Sequence, residues 1–247
     1  MEYTKLCPNL QGIDPDDAFS SVPYEKGYQL LYHVESILGY DVFEKYAKDY
    51  INNFKYKSLS AADWKDFLNI WTSEKAPLKL QEIKDIDYDA WFNHVGLPPK
   101  DPGFDKTLYN QVITLADEWL HSKELSGFDK LTVHQKIYLI DVLMTKELVD
   151  EAFVVLLDKK YEYLDKPPGN LELQFRFIKL SLQHKYDSAL PLAKAFLENQ
   201  GRMKYVRPLY RTLNKSYPEV AKETFEKNKT RYHPICAKLV GQDLGLQ

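Results

Sequence analysis

Tyr24, Glu25 and Lys26 crowd into what reads as the first turn of a helix, within SSVPYEKGYQLL, Ser20 to Leu31. Three acids, Asp14, Asp16 and Asp17, stand just upstream. Pro23 suits a first turn, where its missing N–H costs little. Glu25 suits the positive end of the helix dipole. Two readings of the stretch stay open. In one, it is a well-made helix start with Tyr24 packed and Lys26 solvated. In the other, Tyr24 stands at the mouth of a cleft, where a phenol can donate a hydrogen bond to a developing oxyanion.

A second stretch, GRMKYVRPLYR from Gly201 to Arg211, also carries chemistry. Gly201 suits the position just past the end of one helix. The next helix then opens with Arg202 and Lys204, cations that oppose its dipole. A bound anion would resolve that conflict, because free N–H groups and two cations would converge on it. An ion pair with the acidic part of the chain would resolve it equally well. Neither stretch suggests a metal. The six histidines, His33, His94, His121, His134, His184 and His233, include no HExxH pair, and no two lie within one helical turn. Cys236 follows His233 by three positions, a pair too sparse for a ligand set, and no metal ligand is assigned. There is no glycine-rich phosphate loop and no nucleophile elbow.

The elements that must position these residues read as helices throughout. Phe43, Tyr46, Ala47, Tyr50, Ile51 and Phe54 make one apolar face. Ser60-Ala-Ala-Asp63 forms a capping-box variant ahead of Trp64, Phe67, Leu68 and Trp71. Periodicity weakens from residue 76 to 100, and GLPPKDPGF, Gly96 to Phe104, breaks any helix. Helices follow over Leu108 to Leu120, from a Thr132 cap through Leu143, and over Leu148 to Leu157. More begin at Asn170 and at Asp187, the latter ending at Gly201, then run over Met203 to Leu213, Pro218 to Lys229 and Pro234 to Leu244. Short loops favour antiparallel packing, so the expected fold is all-α with a solenoid-like array from about residue 104. No strand is expected.

The composition agrees with a globular domain: 44% hydrophobic and 28% charged over 247 residues. The longest apolar run, Ile137 to Met144, is too short to span a bilayer, and no signal-peptide pattern opens the chain. Cys7 and Cys236 read as free thiols in a reducing compartment, which makes the cytoplasm the expected location. Net charge is −3, yet residues 176–247 carry fourteen Lys/Arg against six Asp/Glu, leaving −11 on residues 1–175. Nucleic acid is the last-ranked partner for that basic tail, which lacks any recognition signature.

The ordered stretches DPDDAFSSVPYEKG, DWKDFL, GLPP, GRMKYVRPLY and HPICAKLVGQDL resemble the C-terminal part of leukotriene A4 hydrolase and its zinc aminopeptidase relatives. The resemblance covers essentially all 247 residues. It implies that residues 1–96 are the end of a thermolysin-like catalytic domain. Residues 97–104 would be a Pro-rich linker and residues 105–247 an armadillo-like helical domain. It further implies roles: Tyr24 as the proton or hydrogen-bond donor in peptide hydrolysis, and Asp16 as the acid that positions water in the epoxide-hydrolase reaction. Arg202 would grip the substrate carboxylate, assisted by Lys204 beside Gly201. Phe19 stands where leukotriene A4 hydrolase has a tyrosine near the epoxide, which favours peptidase over leukotriene chemistry. The family's zinc motif would lie upstream of Met1. The chain should then hold no cofactor, be inactive alone, and meet a peptide substrate only when a zinc-bearing half completes it. A non-catalytic helical interaction module is the rival expectation. With catalytic structure missing, Phe43, Trp64, Trp71 and Trp91 would be candidates for exposed apolar surface.

Overall fold

The computed structural model describes residues 2–15, 18 and 20–246. Among them the chain is helical with no strand. It divides into two compact units, residues 1–104 and residues 105–247. No helix among the described residues is long and apolar enough to cross a membrane.

The first unit holds α1 (Val22–Leu38), α2 (Tyr40–Phe54), α3 (Ala61–Lys75) and two short helices, α4 (Leu80–Lys84) and α5 (Tyr88–Asn93). The α1 helix packs on α2 and α4, and α2 on α3. Leu30, Val34 and Leu38 of α1 meet Tyr46, Leu68, Trp71, Ile83 and Trp91 in the core. Trp71 and Trp91 are therefore buried, and Phe43 and Trp64 are half-buried. This corrects the expectation of open apolar surface for Trp71 and Trp91, which helical spacing turns inward; Phe43 and Trp64 are only partly covered. Exposed apolar side chains of α1, α2 and α3 include Tyr24, Tyr28, Leu31, Tyr40, Ile51 and Ile70; Ile51, read from sequence as part of the apolar face of α2, stands at its edge and faces out.

The capping box at α3 forms as expected. The Asp63 N–H donates to Ser60 Oγ at 3.2 Å, and the Ser60 N–H donates to Asp63 Oδ2 at 2.7 Å. Ser60→Ala should lower stability by about 1 kcal/mol, the usual worth of an N-cap hydroxyl. Urea denaturation of the two chains checks this.

The second unit runs through α6 (Thr107–Ser122), α7 (Val133–Leu143), α8 (Glu151–Tyr161) and α9 (Leu171–Gln183). It ends with α10 (Leu190–Asn199), α11 (Met203–Ser216), α12 (Pro218–Asn228) and α13 (Pro234–Asp243). Two starts differ from the sequence pattern. The α8 helix begins at Glu151, because the Asp150 side chain accepts the Phe153 N–H and caps it, leaving Leu148 and Val149 outside. Asp187–Ala189 forms a single 3₁₀ turn before α10.

The α9 helix organises the unit. Leu173, Phe177 and Leu180 join the core built with α6, α7 and α8. Phe175, Ile178 and Leu182 join the core built with α10 to α13. It touches α7, α8, α10 and α11, so both of its faces are buried. That position sets where the first turn of α11, with Arg202 and Lys204, is held.

Candidate functional site

Tyr24 occupies the first turn of α1 and is 65% exposed. It borders an open apolar groove of about 410 Å³ with Gly27, Tyr28, Leu31, Trp64 and Phe92 among its walls. Lys26, two residues on, is only 3% exposed. Its ammonium donates to the His94 carbonyl at 2.9 Å and to the Thr4 carbonyl at 3.2 Å. Burial pushes the lysine's pKa down. The reading with Tyr24 packed and Lys26 solvated is thus inverted: the tyrosine faces out and the lysine faces in. At 3.6 residues per turn, side chains two apart point to nearly opposite sides of a helix, so burying one exposes the other. Asp16 and Phe19 lie outside the described residues.

In the second unit Arg202 is the N-cap residue of α11. Its carbonyl accepts the Tyr205 and Val206 N–H groups at 2.9 and 3.1 Å. Its side chain gives no cap hydrogen bond, and the guanidinium makes no ion pair among the described residues. Gly201 follows Gln200, the C-cap residue of α10, as expected, but without the positive φ that glycine often supplies there.

Lys204 is not free. Its ammonium pairs with Glu172 Oε1 in the first turn of α9, and the Tyr205 hydroxyl donates to the same oxygen at 2.7 Å. Arg176 Nη1 donates to Glu172 Oε2 at 2.8 Å, and Arg176 Nε reaches the Asp141 carboxylate at 2.8 and 3.0 Å. Burial alone would raise the Glu172 pKa; the donors from Lys204, Tyr205 and Arg176 outweigh it and hold the group at about 2. For Lys204 the dipole conflict read from sequence is therefore resolved by the ion pair, with Glu172 as its acid; Arg202 keeps its charge without an ion pair among the described residues. Asn170 caps α9 by accepting the Glu172 N–H at 2.9 Å. The carboxylate thus stands in the first turn of one helix and neutralises a cation in the first turn of another.

Sequence reasoning missed this network, although Glu172 and Arg176 have the i, i+4 spacing of a helix ion pair. Pro208 lies inside α11 and has no N–H to give the Lys204 carbonyl, so the first turn of α11 is joined to the rest by one bond fewer.

The described residues contain no group of three or more His, Cys, Asp or Glu that could hold a metal ion. His233 caps α13, its Nδ1 accepting the Ile235 N–H at 3.3 Å, while Cys236 is buried in the core. A catalytic zinc, with its three protein ligands, does not fit these residues.

With this geometry in view, comparison with known proteins defines the class. Residues 6–91 match the peptidase family M1 domain, and residues 131–244 match the domain described as leukotriene A4 hydrolase, C-terminal. Leucine aminopeptidase 2 of Coccidioides immitis is 38% identical over 251 residues, which is 98% of this chain and 40% of that protein. Leukotriene A-4 hydrolase of Xenopus laevis is 36% identical over the same shares. The solved structure of yeast LTA4 hydrolase in complex with bestatin aligns with a TM-score of 0.85 at 32% identity, covering 98% of this chain and 42% of that one. The native enzyme from Saccharomyces cerevisiae aligns with a TM-score of 0.79 at 33% identity. The chain thus carries M1 peptidase and leukotriene A4 hydrolase C-terminal sequence and corresponds to the C-terminal part of these relatives. It spans about 40% of the length of these relatives.

Proposed function

We propose that this chain supplies the phenol and the carboxylate-gripping cation of an aminopeptidase active site, and that it is inactive without a zinc-bearing polypeptide. The observation that carries the reading is the 38% identity to a leucine aminopeptidase across 98% of the chain, joined to the outward placement of Tyr24. In this reading residues 1–96 are the end of the catalytic domain, 97–104 the linker and 105–247 the helical C-terminal domain. The zinc belongs to the zinc-bearing polypeptide, where it would supply the activated water. Tyr24 donates a hydrogen bond to the oxyanion formed as the peptide carbonyl is attacked. Arg202 binds the carboxylate at the far end of a short peptide, and Lys204, with Gly201 beside it, assists from its ion pair with Glu172. The family resemblance gives Asp16 the part of the acid that positions water and Phe19 the position of the tyrosine near the epoxide.

The test is hydrolysis of aminoacyl-arylamides and tripeptides by the purified chain, alone and mixed with the remaining part of leucine aminopeptidase 2. We expect no turnover alone and zinc-dependent turnover in the mixture. In the mixture, Tyr24→Phe should lower kcat by roughly 10²–10³-fold with KM little changed, the worth of one oxyanion donor. Arg202→Ala should raise KM for tripeptides and leave arylamides, which lack the carboxylate, unaffected. Chelator-sensitive hydrolysis by the isolated chain would overturn the reading.

A further inference from the structure

We propose that Lys26 is a positioning residue that fixes the Tyr24 turn by tying three separate segments together; its bearing on catalysis rests on the function proposed above. The first turn of α1 needs such a device. Ser21, its N-cap residue, gives no side-chain cap hydrogen bond, and the Val22 N–H reaches Ser20 Oγ at a long 3.3 Å. An uncapped helix start frays readily. Here the inward side of that turn is pinned instead. The Lys26 ammonium reaches the Thr4 carbonyl, 22 residues upstream, and the His94 carbonyl, 68 residues downstream.

The two stretches of chain that meet at Lys26 are also joined to each other. The Gly96 N–H donates to Thr4 Oγ1 at 2.7 Å, and the Cys7 N–H donates to the Phe92 carbonyl at 2.9 Å. Leu6 packs against the same core as α1 and lies beside Gly27, where a Cβ would come within 3.9 Å of its Cδ2. The segment from Glu2 to Cys7 thus lies along the loop after α5, and Lys26 is the side chain that binds both to α1. A cation with so little exposure is costly to bury when its partners are neutral carbonyls, and it is retained where its donors satisfy backbone acceptors from two distant segments at once. Because Lys26 and Tyr24 share one turn on opposite sides, fixing the first fixes the direction of the second.

The experiment is hydrogen exchange and NMR on the full chain carrying Lys26→Met or Lys26→Arg. Met keeps the unbranched apolar stem and removes the donors; Arg keeps the charge and the donors. With Met, amides of residues 3–7, 22–27 and 94–96 should exchange at least about tenfold faster, while Leu68, Trp71 and residues 105–247 keep their protection. The ring signals of Tyr24, assigned by their loss in Tyr24→Phe, should shift or broaden. Arg should restore part of both effects. If Lys26→Met fails to fold, Lys26→Gln, shorter and with a neutral donor, replaces it, and the same segments should exchange faster by a smaller factor. Unchanged exchange, equal acceleration throughout residues 1–104, or unmoved Tyr24 signals would each overturn the proposal. In the completed enzyme Lys26→Met should lower kcat about tenfold at constant KM. An inactive wild-type mixture would defeat the functional reading while leaving the exchange result to decide the role of Lys26.

Discussion

Lowering the pH from 6 to 2.5 should remove on the order of 4 kcal/mol from the stability of residues 105–247, before the ion pair of Lys204 with Glu172 itself gives way near pH 2. Two carboxylates carry this effect. Glu172, 24% exposed, is held at about 2 against an ordinary value of 4.5. Asp243, 14% exposed, is also held at about 2, against 3.8, chiefly because Arg207 and Arg211 donate to it. A depressed carboxylate contributes its full stability above its unfolded pKa and loses it as the pH falls through its folded pKa. The window therefore runs from about pH 4.5 to 2, and each tenfold change in proton affinity between the folded and unfolded chain is worth about 1.4 kcal/mol. Glu172→Gln should cost about 2–3 kcal/mol at pH 7, since Lys204, Arg176 and Tyr205 then share a neutral acceptor. The same variant should show a visibly flatter acid limb. Urea unfolding followed at a series of pH values measures both, and an acid limb in Glu172→Gln as steep as in the parent chain would refute the assignment.

Phe177→Ala should lower the stability of the same unit by about 3–5 kcal/mol, the range for truncating a buried aromatic side chain. Phe177 is 2% exposed. It stacks on Tyr163 with ring centroids 4.4 Å apart and planes at 11°, and it meets Phe128 at 6.1 Å. The cavity has little chance to collapse, because the opposite face of α9 is held by Phe175, Ile178 and Leu182 in the second core. For a unit of this size the loss should appear as a drop in Tm of roughly 10–15 °C. It should appear in a single transition for α6 to α13 together, since α9 belongs to both cores. Two resolved transitions, with only the α6–α8 part shifted, would show that α9 does not couple them.

The helices of this chain are written locally, and so they are legible. The period of Phe43 to Phe54 gives α2, the Ser60 box and the Thr132 cap start α3 and α7, and Asn170 starts α9. The exact start of α8 escaped because Asp150 and Leu148 both lie in a stretch that periodicity alone could extend. The site is another matter. Nothing near Lys26 in sequence says that it turns inward; its partners at Thr4 and His94 are brought to it only by the fold. Glu172 and Lys204 stand 32 residues apart, so sequence could pose the charge conflict at α11 but not name the acid that resolves it. The roles proposed for Tyr24 and Arg202 rest on family resemblance, because a tyrosine or an arginine in a first turn has no period or spacing that marks it as catalytic.

The double burial of α9 also has a meaning in time. A ribosome adds about 5–20 residues each second. When α8 has been made, the hydrophobic faces of α6, α7 and α8 still lack Leu173, Phe177 and Leu180, and they wait on the order of a second or more for α9 to emerge. Once it docks, Phe175, Ile178 and Leu182 on its other side face outward until α10 and α11 follow, a few seconds later at most. Each half of the unit is thus finished by the helix that begins the next, and the nascent chain carries an uncovered apolar ridge for most of the time it takes to make residues 171–213.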